Sequence, residues 1–257
     1  MGKAVLVDLT RCIGCRGCQV ACKEWNGRAA RKTSFHGEFT NPAALSSDCY
    51  TRIEFVETEK KGAPAWNFVK SQCLHCKDPA CVSACPVGAL TKSASGPVEY
   101  TFNKCIGCRY CMMACPFDIP KYEWSSAQPW VQKCSFCAER ILDGMEPACI
   151  KTCPTGAMYY NEYDNVVSEA RKRIAASAGK YVDHIYGLNE VGGTSWMYVS
   201  DVPFDKLGFK TNLPAFALPS LSWTMLSSLP VKVLGLVALL AVVAYTRNKE
   251  NRKEGEA

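Results

Sequence analysis

The sequence predicts an α+β fold of two cysteine-rich lobes, one inserted in the other, followed by one C-terminal membrane-spanning helix. Three observations carry this expectation. Sixteen of the seventeen cysteines in the 257-residue chain fall into four tetrads. Short strand-like runs stand before or after the tetrads. Near the C-terminus, residues 233–245 form an uncharged and almost wholly apolar stretch.

The tetrads are Cys12, Cys15, Cys18 and Cys22; Cys73, Cys76, Cys81 and Cys85; Cys105, Cys108, Cys111 and Cys115; and Cys134, Cys137, Cys149 and Cys153. In the first and third, two gaps of two residues precede a gap of three. Closely spaced soft thiolates can wrap one face of an iron–sulfur cubane, with a further thiolate just downstream. In the bacterial ferredoxin run that fourth cysteine ligates the other cluster of a pair. The spacing therefore predicts four [4Fe–4S] clusters, with all sixteen cysteines as iron ligands.

Two other uses of cysteine fit less well. A disulfide framework serves small secreted domains, whereas a chain of this length can bury a core without staples. Structural zinc uses two Cys-x2-Cys knuckles across a longer span. Most of these tetrads are compact, and three end in Cys-Pro, at Pro86, Pro116 and Pro154. Cys49 belongs to no tetrad and reads as a plain buried or free thiol.

In chain order, residues 4–8 read as a strand entering the first cysteine loop and residues 19–25 as a brief helix. Residues 26–50 are polar and turn-rich. Strands are expected at 51–57, 66–70, 90–92, 98–102 and 157–160. Strand, cysteine loop and short helix in this rhythm match a ferredoxin-like α+β unit. Residues 73–115 hold two tetrads, as in a compact two-cluster ferredoxin. Crossed ligation then groups Cys73, Cys76 and Cys81 with Cys115, and Cys105, Cys108 and Cys111 with Cys85. By elimination the outer tetrads pair across this unit. Cys12, Cys15 and Cys18 go with Cys153, and Cys134, Cys137 and Cys149 with Cys22. The four-cluster domain is placed at 1–160, as two ferredoxin-like lobes.

Residues 161–225 read as a helical and turn-rich extension and linker. A helix over 161–180 places Val166, Val167, Ala170, Ile174 and Ala178 on one stripe. Its Arg171-Lys172-Arg173 run reads as a solvated face. Residues 191–194, Val-Gly-Gly-Thr, lack the spacing of a phosphate cradle and read as a turn. His36, His75 and His184 have no partner pattern for a metal or a triad. His75, between two cysteines, is expected to point outward or to hydrogen-bond a sulfide. No catalytic residue is predicted.

Apolar content of 48% with 21% charged residues is ordinary for a folded chain. The net charge of +6 is mild and scattered, which argues against nucleic acid as a partner. The first residues lack the long apolar run of a signal peptide. Residues 226–246 carry one charge, Lys232, and about twenty residues span about 30 Å of bilayer, so membrane lipid is an expected partner. Trp223 and Tyr245 bracket the segment as interfacial anchors. The tail, 247–257, carries Arg247, Lys249, Arg252 and Lys253. The positive-inside rule places this tail in the cytoplasm and the cluster body on the periplasmic or outer face. An outward body without its own signal implies export with a signal-bearing partner.

The words at 12–26 (Cys-Ile-Gly-Cys-Arg-Gly-Cys-Gln-Val-Ala-Cys-Lys-Glu-Trp-Asn), 105–120 (Cys-Ile-Gly-Cys-Arg-Tyr-Cys-Met-Met-Ala-Cys-Pro-Phe-Asp-Ile-Pro) and 147–157 (Pro-Ala-Cys-Ile-Lys-Thr-Cys-Pro-Thr-Gly-Ala) carry a resemblance. The chain resembles the four-cluster beta subunit of membrane-bound molybdopterin oxidoreductases, most of all that of formate dehydrogenase. The likeness covers residues 3 to about 205. It implies a large molybdopterin catalytic subunit that oxidises formate at molybdenum or tungsten in anaerobic respiration. This chain would pass the electrons, one at a time, to a membrane cytochrome b or quinone-reactive subunit. Iron–sulfur subunits of periplasmic nickel–iron hydrogenases are similar too, including a Gly-Gly-Thr segment like 192–194, and so the same role in a hydrogenase or a sulfur-compound or sulfoxide reductase is the alternative. Some relatives replace one ligand and carry a three-iron cluster, whereas all sixteen cysteines are present here. The first tetrad departs from the others in having Lys23 after its last cysteine in place of proline.

Overall fold

The computed structural model describes the chain except residues 1, 31, 36, 61, 127–129, 178 and 256–257, and the side chains of 249–255. The expectations for His36, Ala178 and the Lys249, Arg252 and Lys253 side chains lie outside the described residues. The chain divides into two compact units, Met1–Leu218 and Pro219–Ala257.

In the first unit, β1 (Lys3–Asp8) leads through the first cysteine loop into α1 (Gly17–Trp25). A long hairpin follows, β2 (Thr51–Lys60) against β3 (Ala63–Gln72), with Thr51 opposite Gln72. Next come α2 (Ala80–Ser83) and the hairpin of β4 (Leu90–Lys92) and β5 (Val98–Tyr100). After α3 (Tyr110–Ala114), β6 (Lys121–Tyr122) pairs with β7 (Val131–Gln132). Then come α4 (Ala138–Leu142), α5 (Ala148–Lys151), β8 (Met158–Glu162), α6 (Tyr163–Ala176) and β9 (Trp196–Val199).

β1 is the centre of a three-stranded sheet, antiparallel to β8 and parallel to β9. Its Ala-Val-Leu-Val run has no polar alternation because both faces are covered. Val5 and Val7 face a core with Trp196, Tyr198, Phe136, Ile53 and Val69. Ala4 and Leu6 face α6 through Val166 and Ala170. Buried on both sides, such a strand reads as a continuous apolar run.

The stripe expected on α6 packs inward, but its basic run is only partly solvated. Arg171 and Lys172 are exposed. Arg173 turns to the fully buried Asp8 at 3.1 Å and to Glu169 at 2.7 Å. A carboxylate buried in the sheet needs this partner.

The division expected at residue 160 does not separate two folding units. The segment beyond it supplies β9, which is buried along its whole length beside β1. The β2–β3 hairpin also outruns its expected strands, because backbone pairing continues through the charged outer residues. In the β4–β5 turn, Gly96 has φ +119, and a Cβ there would lie 2.6 Å from the Lys3 carbonyl oxygen. The turn is thereby able to close on β1.

The second unit is one helix, α7 (Pro219–Gly255). Within its segment Pro219–Asn248 the most apolar eighteen-residue stretch has a mean hydropathy of 2.2, and none of that stretch is buried against protein. The helix extends beyond the expected 226–246 at both ends. Residues 219–225 and the basic tail are helical but mix polar or charged residues with apolar ones, so hydropathy alone understates the length of the helix. Pro230 lies inside the helix.

Candidate metal centre

Each cysteine tetrad folds as a loop followed by a short helix, and the loops come in two forms. In the first and third tetrads an arginine in left-handed conformation, Arg16 or Arg109, precedes the helix. Each guanidinium lies over an aromatic ring, Arg16 over Phe55 and Arg109 over Tyr122. In the second and fourth tetrads a proline, Pro79 or Pro147, occupies the cap. There it fixes φ and needs no helical partner for a backbone N–H. Helix α1 packs on α5, and α2 packs on α3, so each contact joins one loop of each form.

This packing draws the cysteines into four sets. Cys12, Cys15, Cys18 and Cys153 line one cavity. Cys22, Cys134, Cys137 and Cys149 line a second. Cys76 is surrounded by Cys73, Cys81 and Cys115. Cys85, Cys105, Cys108 and Cys111 line a fourth site. In each, three cysteines of one tetrad meet the last cysteine of another. The sets follow one another in that order. Cys18 lies near Cys149, Cys134 near Cys73, and Cys81 near Cys111.

The residues fit iron–sulfur clusters better than single ions. A tetrahedral zinc needs four ligands within about 2.3 Å of one point. Among the described residues no three Cys, His, Asp or Glu side chains converge in that way. The sulfurs instead stand around spaces. Backbone N–H groups point at them, from Gly107 to Cys105 at 3.4 Å, Phe136 to Cys134 at 3.3 Å and Ala89 to Cys85 at 3.2 Å. Such donors favour sulfur that carries negative charge. The Tyr100 hydroxyl lies against Cys105 in the fourth site.

Lys70 makes the same point from the other side. It is 3% exposed and lines both the first and the second cavity. Its ammonium donates to Thr51 Oγ1 and to Gln72 Oε1 at 3.1 Å, and lies 5.1 Å from the centre of the Trp196 ring. No ion pair to a carboxylate is formed by Lys70 among the described residues. Burial opposes its charge, but Cys149, Cys18, Cys134 and Cys22 outweigh that and push its pKa up. A buried ammonium without an anion is costly. A cluster held by four thiolates is net negative and would supply that anion on either side.

Burial pushes the Cys18 thiol up to about 11 and those of Cys22 and Cys81 to about 12. Lys70 acts in the opposite direction on the first two and Lys133 on the third. Lys133 is itself buried and donates to the Val98 and Cys134 carbonyls. Buried lysines are thus placed where thiolate charge would collect.

His75 does not point outward: it is fully buried. Burial, with Lys133 and Lys92 nearby, lowers its pKa well below the usual imidazole range. His184 lies at the surface and meets Glu190 at 2.7 Å, away from the cysteine sets. Cys49 is buried, and its thiol donates to the Thr51 carbonyl at 3.2 Å. Lys70 and Lys133 were not legible as site residues, because charged side chains ordinarily mark a solvated position. Their nearness in sequence to Cys73 and Cys134 was the available signal.

Residues 11–89 and 64–163 each match a 4Fe-4S dicluster domain family. The chain is 42% identical over 199 residues to the nitrate-inducible formate dehydrogenase iron-sulfur subunit of Escherichia coli, a match covering 76% of this chain and 67% of that one. It is 37% identical over 259 residues to the formate dehydrogenase iron-sulfur subunit of Haemophilus influenzae, covering 98% and 82%. The hydrogenase-2 operon protein HybA of E. coli O157:H7 is 34% identical over 235 residues, covering 79% and 71%. With 4Fe-4S domains and relatives matched across most of its length, the chain belongs to the family of formate dehydrogenase iron–sulfur subunits.

Proposed function

We propose that this chain is the electron-transfer subunit of a membrane-bound formate dehydrogenase, holding four [4Fe–4S] clusters in a row. The ligand sets are Cys12, Cys15, Cys18 with Cys153; Cys134, Cys137, Cys149 with Cys22; Cys73, Cys76, Cys81 with Cys115; and Cys105, Cys108, Cys111 with Cys85. Bound clusters supply one-electron redox chemistry. The chain's residues hold them in order, exclude water and set their potentials.

The observation that carries this reading is the unbroken succession of four cysteine sets, together with the buried Lys70 between the first two. The likeness to formate dehydrogenase iron–sulfur subunits supports formate oxidation on a molybdopterin partner, with a membrane cytochrome b or quinone-reactive subunit as acceptor. HybA favours a second reading, the same relay in a hydrogenase complex. Co-purification decides between them. A large subunit containing molybdenum or tungsten is the expected result, and a nickel–iron subunit would establish the second reading.

Anaerobically purified complex is expected to yield four cubanes from this subunit, or about sixteen iron atoms with matching sulfide. Stoichiometric zinc in the cysteine sites would overturn the cluster reading. Crossed ligation has its own test. Cys115→Ser is expected to alter the resonance signal of the cluster on Cys73, Cys76 and Cys81, and to spare the one on Cys105, Cys108 and Cys111. The reverse pattern would mean that each tetrad closes on itself.

For topology, α7 spans the bilayer with the basic tail in the cytoplasm and the cluster body outside. The tail residue Arg247, with Lys249, Arg252 and Lys253 beyond it, supports this orientation.

A further inference from the structure

Two rings face each other where the second and third cysteine sets meet. His75 is the third residue of the Cys73–Cys76 loop, and Phe136 holds the same place between Cys134 and Cys137. Both have left-handed backbone, with φ 49 and φ 58, and their ring centroids are 4.9 Å apart. The matching positions of the outer loops are Gly14 and Gly107, also at positive φ. Glycine accepts that conformation freely and a bulky ring does not. Where the backbone tolerates a ring at a cost, the ring has a use.

The hydrogen bonding indicates what that use is. His75 Nδ1 accepts the Val98 N–H at 2.9 Å. A ring nitrogen that accepts carries no proton, so the neutral imidazole bears its N–H at Nε2. Nε2 is buried and has no hydrogen-bond partner among the described residues. Trp196 stacks behind Phe136 at 5.3 Å and lines the cavity of the second set. Its Nε1–H is likewise buried without a partner. An unmade bond of this kind is costly in a protein interior, and native folds rarely leave one. His75 belongs to the Cys73–Cys76 loop and Trp196 lines the cavity of Cys22, Cys134, Cys137 and Cys149, so cluster sulfur is the acceptor chemistry that each site offers.

We propose that His75 Nε2–H and Trp196 Nε1–H donate hydrogen bonds to sulfur of the two middle clusters, making both residues positioning residues that raise the potentials of those clusters. A donor to sulfur stabilises the reduced, more negative form. The proposal rests on the cluster reading above. It adds that the centre of the relay is tuned by side chains outside the ligand set.

The test uses the full chain in its anaerobically purified complex, labelled with nitrogen-15 histidine. Pulsed resonance on the reduced clusters is expected to detect histidine nitrogen coupled to a middle cluster. In His75→Leu that coupling disappears. The midpoint of that cluster falls by at least tenfold in its reduction equilibrium, about 59 mV for one electron. His75→Gln, which keeps an N–H donor, recovers part of the shift. Trp196→Phe keeps an aromatic ring and is expected to lower the potential of the cluster on Cys22, Cys134, Cys137 and Cys149. The label in the wild type and the two milder variants remain decisive if His75→Leu fails to assemble. Four intact clusters with no histidine coupling and unshifted midpoints would overturn the proposal while leaving the cluster reading in place. A wild type deficient in iron would overturn both, and the iron assay separates the two outcomes.

Discussion

Lys70→Met is expected to lower the potentials of the first two clusters together and leave the fourth nearly unchanged. Lys70 lines the cavities of both sets, and its ammonium is shielded from solvent. At an effective dielectric of about 20, a unit charge on the order of 6 Å away contributes roughly 3 kcal/mol to adding one electron. That corresponds to about 120 mV. Removing one partner of a buried charge pair also costs about 3–5 kcal/mol of stability. A weaker second cluster and faster loss of iron should therefore accompany the shift. Lys70→Gln separates charge from hydrogen bonding, because an amide can still reach Thr51 and Gln72. It should reproduce most of the potential shift and less of the instability. Redox titration followed by electron resonance reads both variants. Unchanged midpoints in the first two clusters would mean that Lys70 is held neutral and does not balance the charge of the clusters.

Cysteine spacing and apolar run length made the main features legible in the sequence. These are local signals, each contained in a few consecutive residues. The strand at Leu90–Lys92 and the turn around Gly192 and Gly193 were read for the same reason. What escaped depends on contacts between distant segments. Trp196–Val199 pairs with Val5–Asp8 across most of the chain. Its four residues are buried on both faces, so they show no alternation to announce a strand. Lys70 and Arg173 carry charges that usually face water, and only the fold reveals the groups that hold them inside. For His75 its place between two cysteines left two readings open, outward-facing or hydrogen-bonded to a sulfide, and burial removes the first. Its buried ring becomes informative once Val98, Phe136 and the orphaned Nε2 are placed around it.

Deleting residues 219–257 is expected to release the chain from the membrane completely while its cluster unit keeps its iron. The two compact units meet at residues 218 and 219, so the cut does not pass through the cysteine core. The segment Pro219–Asn248 is about 45 Å long as a helix, more than the roughly 30 Å needed to cross a bilayer. Leu234, Leu236, Val237, Leu239, Leu240 and Val242 are all more than half exposed. Each contributes about 1.5–3 kcal/mol when it is moved from water into hydrocarbon. Their sum exceeds the roughly 3 kcal/mol that Lys232 costs near the centre of a span, and snorkelling lowers that cost. Transfer of the segment into lipid is therefore expected to be favourable. The truncated chain should appear wholly in the soluble fraction, and electron delivery to quinone should fall even where the catalytic partner remains attached. Orientation is read on the intact chain. Protease added outside spheroplasts should digest the cluster unit and spare the tail beyond Tyr245. Protection of that unit, with cleavage near Arg247 from outside, would reverse the topology and leave the anchor in place. Retention of the truncated chain on washed membranes would instead mean that partner subunits, not α7, hold it there.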